Sequence, residues 1–206
     1  MGATQFRLLC ALGLRDHHKV LDVGCGSLRG GRFLLLYLDR GNYYGIEPNR
    51  WLIDDVVARE LGEELIRLRA PRFSSRNDFD PSEFGTAFDF VIAQSIFSHA
   101  GPDIILPALR NLGRFLRPGG LILATFIHRE TNREMPEEAP GWTYPGCTTY
   151  SAPRILELLG QAGMIGRMLP WYHPRQSWYA IASRHEDIPP EEFDVHLSGQ
   201  VRSGFE

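Results

Sequence analysis

The chain has 206 residues, 43% of them hydrophobic, and a formal net charge of −3. This length predicts one domain with a sizeable core rather than two domains of ordinary size. The slight negative charge, without any block of Lys or Arg, argues against a nucleic-acid partner. The sequence has no signal-like segment and no apolar run near the roughly twenty residues that span a bilayer, so we expect a cytoplasmic protein without a membrane partner.

The cysteines are Cys10, Cys25 and Cys147. They are odd in number and lack the C-x-x-C spacing of zinc sites, so we expect free thiols rather than disulfides. No cluster of acidic residues follows the fourth predicted strand either. The sequence therefore predicts no bound metal.

Predicted strands and helices alternate along the chain. Helices are predicted over 4–12, 28–38, 50–61, 103–116 and 152–161, and strands over 19–23, 43–47, 72–75, 88–93, 121–126, 164–171 and 177–182. Such alternation indicates an α/β fold with a doubly wound, mostly parallel sheet and helices on both faces. The last two strands are expected to form a hairpin.

This pattern divides the chain into a domain over 1–184 and a C-terminal tail over 185–206. The domain begins with a short helical segment within 1–18. Residues 128–150 are rich in Pro, Gly, Glu and aromatics, and we predict a lid there because loops of this length are commonly functional. The tail is acidic and contains Pro, so we expect it to be loosely held.

The segment "VLDVGCGSLRGG", residues 20–31, runs from the first predicted strand into Gly24 and Gly26. Two glycines separated by one residue let the backbone bend sharply and approach a ligand, because no Cβ intervenes. The dinucleotide fingerprint G-x-G-x-x-G would need a third glycine where Arg29 stands. Taken alone, the two glycines also fit a tight structural turn without a ligand.

Acidic residues end three predicted strands or follow them closely: Asp22, Glu47 and Asp78. In an open α/β sheet, ligands bind beyond the carboxyl ends of the strands, so these acids are expected to face one crevice. A pyrophosphate would be repelled there, whereas a ligand with an ammonium and a sulfonium group would be attracted. The acids therefore favour S-adenosylmethionine as the cofactor and S-adenosylhomocysteine as its product.

Five segments, in order, carry a resemblance to a known family: "VLDVGCGSLRGG", "YYGIEPNRW", "NDF", "FDFVIAQSIFSHA" and "LRNLGRFLRPGGLILATF". Their order and spacing resemble the motifs of class I S-adenosylmethionine-dependent methyltransferases, over about residues 14–182. The resemblance implies a Rossmann-like, seven-stranded sheet whose last strand is antiparallel. It also implies methyltransferase activity.

The resemblance assigns roles to particular residues. Gly24, Cys25 and Gly26 would lie along the methionine part of the cofactor, and Asp22 would help to hold its amino group. Glu47 corresponds to the acid that accepts hydrogen bonds from both ribose hydroxyls, a role that suits a carboxylate.

At the adenine end, Asp78 corresponds to the acid that accepts the adenine amino group, with Phe79 along the base. An Asx-turn at Asn77 and Asp78 remains an alternative. Near the sulfonium, the residues expected to line the wall are Gln94, Ser95 and Phe97.

His99 follows the fourth predicted strand and is the best-placed candidate for a general base, because free histidine titrates near pH 6.5. The run "SIFSHAG" also resembles an S-x-F-x-H pattern of small-molecule methyltransferases. The alternative is a histidine that caps the next helix or packs under the loop. Weaker candidates for a role in the reaction are His128, Tyr144, Tyr150 and His173.

The acceptor is narrowed by what the sequence lacks. "AQSI" stands where DNA amino-methylating enzymes carry [DNS]-P-P-[FY], and the paired-glutamate loop of protein-arginine methyltransferases is missing. We therefore expect a small organic acceptor with an oxygen or nitrogen nucleophile, selected by residues 102–103 and 129–150. The alternatives are a nicotinamide-dependent oxidoreductase, against which Asp22 and Arg29 count, and a noncatalytic S-adenosylmethionine-binding module.

Overall fold

The structure, a computed structural model, describes residues 1–197. Its helices are α1 (Gly2–Ala11), α2 (Gly31–Tyr37), α3 (Arg50–Val56), α4 (Glu63–Arg69), α5 (Pro102–Arg114), α6 (Ala152–Gln161) and α7 (Asp194–Leu197). Its strands are β1 (Val20–Val23), β2 (Tyr43–Ile46), β3 (Arg72–Ser74), β4 (Phe88–Ala93), β5 (Leu116–Phe126), β6 (Ile165–Leu169) and β7 (Ser177–Ala182). None of the helices within residues 1–197 has the length and apolar character that crossing a membrane requires.

The seven strands form one sheet in the order β3-β2-β1-β4-β5-β7-β6. β7 runs antiparallel to both of its neighbours, and all other pairs are parallel. The Rossmann-like, doubly wound fold with one antiparallel last strand is therefore confirmed. Because the parallel strands share one direction, the carboxyl ends of β1, β2 and β4 meet at one edge of the sheet.

Apolar side chains are buried on both faces of the sheet, as a parallel sheet covered by helices requires. One cluster joins the sheet to α5 and α6, with Leu109 and Leu158 among its fully buried members. The other joins the opposite face to α1, α2 and α3, and contains Leu8 and Leu34. This double burial fixes the strand ends that carry the candidate site.

Two predicted elements differ clearly from the structure, and several others differ by one to three residues at their ends. The predicted helix 50–61 is α3 followed by one π-helical turn, Val57–Leu61, and α4 was not predicted. Gly62, at a φ of +79°, separates α3 and its π-turn from α4. β5 begins at Leu116 instead of residue 121, because Leu116 already pairs with Phe88 ahead of a register shift.

The prediction of a loosely held tail is wrong for residues 185–197. Leu197 is fully buried in the second cluster, and Ile188 and Phe193 pack against it. The Arg167 guanidinium on β6 also forms an ion pair with Asp194, at 2.6 Å. Apolar contacts thus hold this segment to the domain, and the predicted tail over 198–206 lies outside the described residues.

Candidate functional site

The glycine turn lies at the carboxyl end of β1. Gly24 and Gly26 have φ angles of +68° and +52°, which residues with a Cβ adopt at a cost. A Cβ on Gly24 would lie 2.1 Å from Ile96 Cδ1, so the backbone there is in close contact. A Cβ on Gly26 would have no heavy atom nearer than 3.9 Å, and the turn is therefore open at this residue.

Glu47 ties the turn to the end of β2. Its side chain is buried, with 6% of the residue exposed. One carboxylate oxygen accepts the Gly26 N–H at 3.0 Å, and the other accepts the Asn49 N–H at 2.8 Å. Because each carboxylate oxygen has two lone pairs, Glu47 keeps acceptor capacity for a ligand beside the turn.

Asp22 is the second buried acid, with 8% of the residue exposed. Burial raises the pKa of Asp22 from its usual 3.8 to about 6; a hydrogen bond from the Tyr43 hydroxyl, at 2.8 Å, opposes this rise, and the charge of Glu47 adds to it. Tyr43 is a site residue that the sequence did not indicate, since it lies on another strand.

Neither of these acids takes part in any ion pair within residues 1–197. Two buried carboxyl groups without a cation form a region of negative potential. Asp22 and Glu47 therefore fit a ligand with an ammonium and a sulfonium group, and they disfavour a pyrophosphate.

Cys25 points away from the open side of the turn. The residue is buried in the second apolar cluster, and its Sγ lies 2.8 Å from where a Cβ on Gly45 would stand. Burial raises the pKa of this thiol well above its usual range. Only the backbone of Cys25 is therefore available to a cofactor.

Asp78 and Phe79 follow β3. Asp78 accepts hydrogen bonds from Arg76 and from the Asp80 N–H. The Asx-turn that the sequence analysis kept as an alternative is therefore formed. The Arg76 guanidinium also holds the pKa of Asp78 below its usual range. Phe79 has a φ of +58°, a conformation that bulky residues rarely adopt and that often marks functional sites.

The end of β4 is held by residues from several segments. Gln94 contacts Gln5 of α1, and its Nε2 lies 3.4 Å from His173 Nε2. Ser95, at a φ of +58°, donates its N–H to Thr125 Oγ1 at 2.8 Å, and its hydroxyl accepts Gln176 Nε2 at 3.0 Å.

Phe97 does not line this site. It is fully buried in the first cluster, with its ring centroid 5.4 Å from that of Phe126. The prediction that Phe97 forms part of the wall is therefore wrong, because the side chain faces the core.

His99 packs under the 128–150 loop, which is one of the arrangements that the sequence allowed for this residue. Its Nδ1 lies 2.5 Å from the Gly146 carbonyl oxygen. The centroid of its ring lies 6.0 Å from the ring centroid of Trp142 and 5.2 Å from that of Tyr144. A carbonyl oxygen can only accept, so Nδ1 carries the proton of the neutral ring and Nε2 has the free lone pair. The Gly146 carbonyl is a further feature that no sequence pattern indicated.

The other histidines and tyrosines considered are engaged elsewhere, apart from the exposed Tyr144. His128 Nε2 lies 2.9 Å from the Tyr179 hydroxyl, and the Tyr150 hydroxyl donates to the Ala100 carbonyl at 2.5 Å. His173 Nδ1 accepts the Gln176 N–H at 2.9 Å, and burial lowers the pKa of His173 to about 4. The Nε2 atoms of His128 and His173 thus lie against other side chains, whereas His99 Nε2 makes no hydrogen bond within residues 1–197.

The 128–150 loop is hydrogen-bonded to the segment after β4. Thr143 N donates to the His99 carbonyl at 2.7 Å, and Thr148 N donates to the Ser98 carbonyl at 2.9 Å. Asp103 accepts the Gly141 N–H at 2.9 Å. The loop therefore covers the side of the sheet edge beyond β4.

Known methyltransferases share this fold. Residues 21–122 match the model of a family described as a methyltransferase domain. The fold is similar to that of the CcbJ methyltransferase from Streptomyces caelestis, with a TM-score of 0.69, 14% identity, and coverage of 89% of this chain and 95% of that one.

Two further structures are similar. The magnesium protoporphyrin IX methyltransferase ChlM from Synechocystis PCC 6803, solved with bound S-adenosylhomocysteine, has a TM-score of 0.60 and 17% identity, over 88% of this chain and 84% of that one. The O-methyltransferase NcsB1 from neocarzinostatin biosynthesis was solved in complex with S-adenosylhomocysteine and 1,4-dihydroxy-2-naphthoic acid. It has a TM-score of 0.61 and 16% identity, over 89% of this chain and 57% of that one. At these identities the likeness to solved structures is one of fold.

The strand order and the glycine turn at the carboxyl end of β1 define an α/β protein with a Rossmann-like fold. With the family match, the chain belongs to the class I S-adenosylmethionine-dependent methyltransferases. S-adenosylmethionine is accordingly its cofactor.

Proposed function

We propose that this methyltransferase acts on an oxygen or nitrogen nucleophile of a small organic acceptor, with His99 as general base. The observation that carries the proposal is the contact between His99 Nδ1 and the Gly146 carbonyl, which leaves Nε2 as the basic atom. Within residues 1–197, Nε2 makes no hydrogen bond. A base with a free lone pair beyond the carboxyl end of β4 suits proton abstraction from a hydroxyl or an amine.

We also propose how the chain holds the charged end of the cofactor. The backbone of Gly24, Cys25 and Gly26 lies along the methionine part, and Asp22 binds the amino group. Glu47 accepts both ribose hydroxyls. The burial of the two acids and the open turn at Gly26 support these roles.

For the rest of the cofactor, Asp78 accepts the adenine amino group and Phe79 lies along the base. Asp78 retains acceptor capacity beyond its bonds to Arg76 and Asp80. Gln94 and Ser95 line the wall near the sulfonium, at the end of β4.

The bound cofactor supplies an electrophilic methyl group. The residues of the chain align the acceptor, keep water out and receive its proton, the contributions that matter most for a displacement of this kind. His99 Nε2 takes the proton from the acceptor oxygen or nitrogen. The loop over 129–150 and residues Pro102 and Asp103 select the acceptor.

A small acceptor is supported by the fold likeness to NcsB1, which was solved with a naphthoic acid. His99 contacts the side chains of Trp142, Tyr144 and Cys147, and none of these three is charged. We retain from the sequence the predictions of a cytoplasmic location and of no nucleic-acid partner.

The test is His99→Gln, which keeps size and hydrogen bonding but cannot accept a proton. We expect turnover, measured with labelled S-adenosylmethionine on an acceptor found in a metabolite screen, to fall about a hundredfold to ten-thousandfold. The dissociation constant of S-adenosylhomocysteine should stay within about twofold.

The wild-type rate should also rise with pH through one ionisation that the variant loses. His17→Gln, at an exposed position, is the matched control. Normal turnover and an unchanged pH profile in His99→Gln would show that His99 is not the base.

A further inference from the structure

Two exposed aromatic side chains flank His99. Trp142 is 49% exposed and Tyr144 is 67% exposed, although both rings contact the imidazole of His99. Large aromatic groups that stay exposed beside a reactive residue are typical of binding surfaces, because a ligand gains by covering them.

Thr143, which lies between the two aromatic residues in the sequence, fixes their position through its hydrogen bonds. Thr143 donates both its N–H and its hydroxyl to the His99 carbonyl, at 2.7 and 3.0 Å. On either side of this anchor, the rings of Trp142 and Tyr144 both lie against the imidazole of His99. The two aromatics are therefore presented together at His99.

Gly141, just before Trp142, is also fixed by hydrogen bonds. Gly101 N donates to the Gly141 carbonyl at 2.8 Å, and Asp103 accepts Gly141 N in return. A Cβ on Gly101 would lie 2.1 Å from the Ala139 carbonyl oxygen, so the loop and the segment after β4 are in direct contact. The aromatics thus belong to a preorganised surface, which lowers the cost of binding a flat ligand.

From this arrangement we propose that the acceptor is a planar aromatic compound with a phenolic hydroxyl, and that Trp142 and Tyr144 bind its ring. The proposal rests on the proposed function, because it specifies the acceptor of the same site. Three side chains that contact His99, those of Trp142, Tyr144 and Cys147, are uncharged, which favours a neutral ring over an ionic acceptor.

Proton affinity favours a phenol over an aliphatic alcohol. A phenolic hydroxyl such as that of tyrosine has a pKa near 10, whereas an alkyl hydroxyl is closer to water, near 15.7. An imidazole can deprotonate a phenol far more readily than it can deprotonate an alkyl hydroxyl.

In the transfer itself, the phenol O–H proton goes to His99 Nε2 and the oxygen lone pair forms the new O–CH₃ bond. The bond between the methyl carbon and the cofactor sulfur breaks, and its electron pair stays on sulfur. The products are an aryl methyl ether and S-adenosylhomocysteine.

The experiment compares 1-naphthol, 2-naphthol and phenol with their ring-saturated counterparts, decahydro-1-naphthol, decahydro-2-naphthol and cyclohexanol. Labelled S-adenosylmethionine reports transfer, and calorimetry of S-adenosylhomocysteine reports cofactor binding separately. We expect transfer to at least one phenol and to none of the saturated alcohols.

For Trp142→Leu and Tyr144→Leu, we expect the KM of the phenol to rise about fivefold to tenfold, as the loss of one aromatic contact implies, with kcat within about threefold. Tyr144→Phe should restore the KM. Tyr37→Leu, which removes an aromatic bonded to the Leu14 carbonyl before β1, is the matched control and should change neither constant.

Transfer to a saturated alcohol, transfer to no phenol, or a loss confined to kcat in the Leu variants would overturn the aromatic assignment. If S-adenosylhomocysteine still binds, the cofactor half of the proposed function stands in each case. A failure of S-adenosylhomocysteine to bind the wild-type protein would overturn the proposed function itself.

Discussion

Replacing Asp22 by Asn removes a buried negative charge and keeps an acceptor for the Tyr43 hydroxyl. Burial raises the pKa of Asp22 from 3.8 to about 6, so the folded state binds more protons than the unfolded state between these values. The free energy of unfolding of the wild-type protein therefore falls as pH rises through this window. Above pH 6, the folded protein carries the whole cost of the ionised carboxyl.

A pKa rise of this size corresponds to about 3 kcal/mol at high pH, and about 1.4 kcal/mol of it appears between pH 5 and pH 8. Asp22→Asn carries no such cost. We therefore expect the free energy of unfolding of the variant, relative to that of the wild-type protein, to be about 1.4 kcal/mol higher at pH 8 than at pH 5. Binding of the cationic cofactor follows the opposite trend, because it favours the ionised carboxylate.

Urea unfolding at pH 5 and pH 8 measures the first effect, and calorimetry with S-adenosylhomocysteine measures the second. Since the ionised fraction of Asp22 falls about tenfold from pH 7 to pH 5, the wild-type affinity should fall about tenfold as well. Asp22→Asn should bind weakly at both pH values. A stability difference between variant and wild type that does not change with pH would refute the reasoning.

Two other substitutions test the site and the packed C-terminal segment. Glu47→Ala should raise the dissociation constant of S-adenosylhomocysteine about tenfold to a hundredfold by calorimetry, because charge-assisted bonds are lost, whereas Glu64→Ala on exposed α4 should not. An unchanged constant in folded Glu47→Ala would remove Glu47 from the site. Leu197→Ala should lower the free energy of unfolding by about 2–5 kcal/mol in urea, against little change for exposed Leu156→Ala. A loss below about 0.5 kcal/mol would mean that the C-terminal segment contributes nothing to stability.

Strong local patterns made some elements predictable to the residue. β4 and α6 coincide with their predicted ranges, because "FDFVIA" is a nearly continuous apolar run and Ser151 caps the helix by accepting the Arg154 N–H. The start of β5 was missed because Arg117-Pro-Gly-Gly has the composition of a turn. Its pairing with β4 depends on the sheet and not on the local sequence.

The site divides in the same way. Asp22, Gly24, Gly26 and Glu47 could be placed together because each stands at a strand end, and parallel strands bring those ends to one edge. Gln5 and the Gly146 carbonyl come from distant segments without any pattern that links them to β4. Contacts of this kind depend on the tertiary packing of α1 and the loop.

The central claim is that the buried acids at the ends of β1 and β2 bind the ammonium group and the ribose hydroxyls of an adenosyl cofactor. Calorimetric titration of the wild-type protein with S-adenosylhomocysteine, and separately with NAD, at pH 7.5 tests it most directly. We predict one-to-one binding of S-adenosylhomocysteine and an affinity for NAD at least about a hundredfold weaker, because Asp22 and Glu47 repel a pyrophosphate. Equal or tighter binding of NAD would contradict the account.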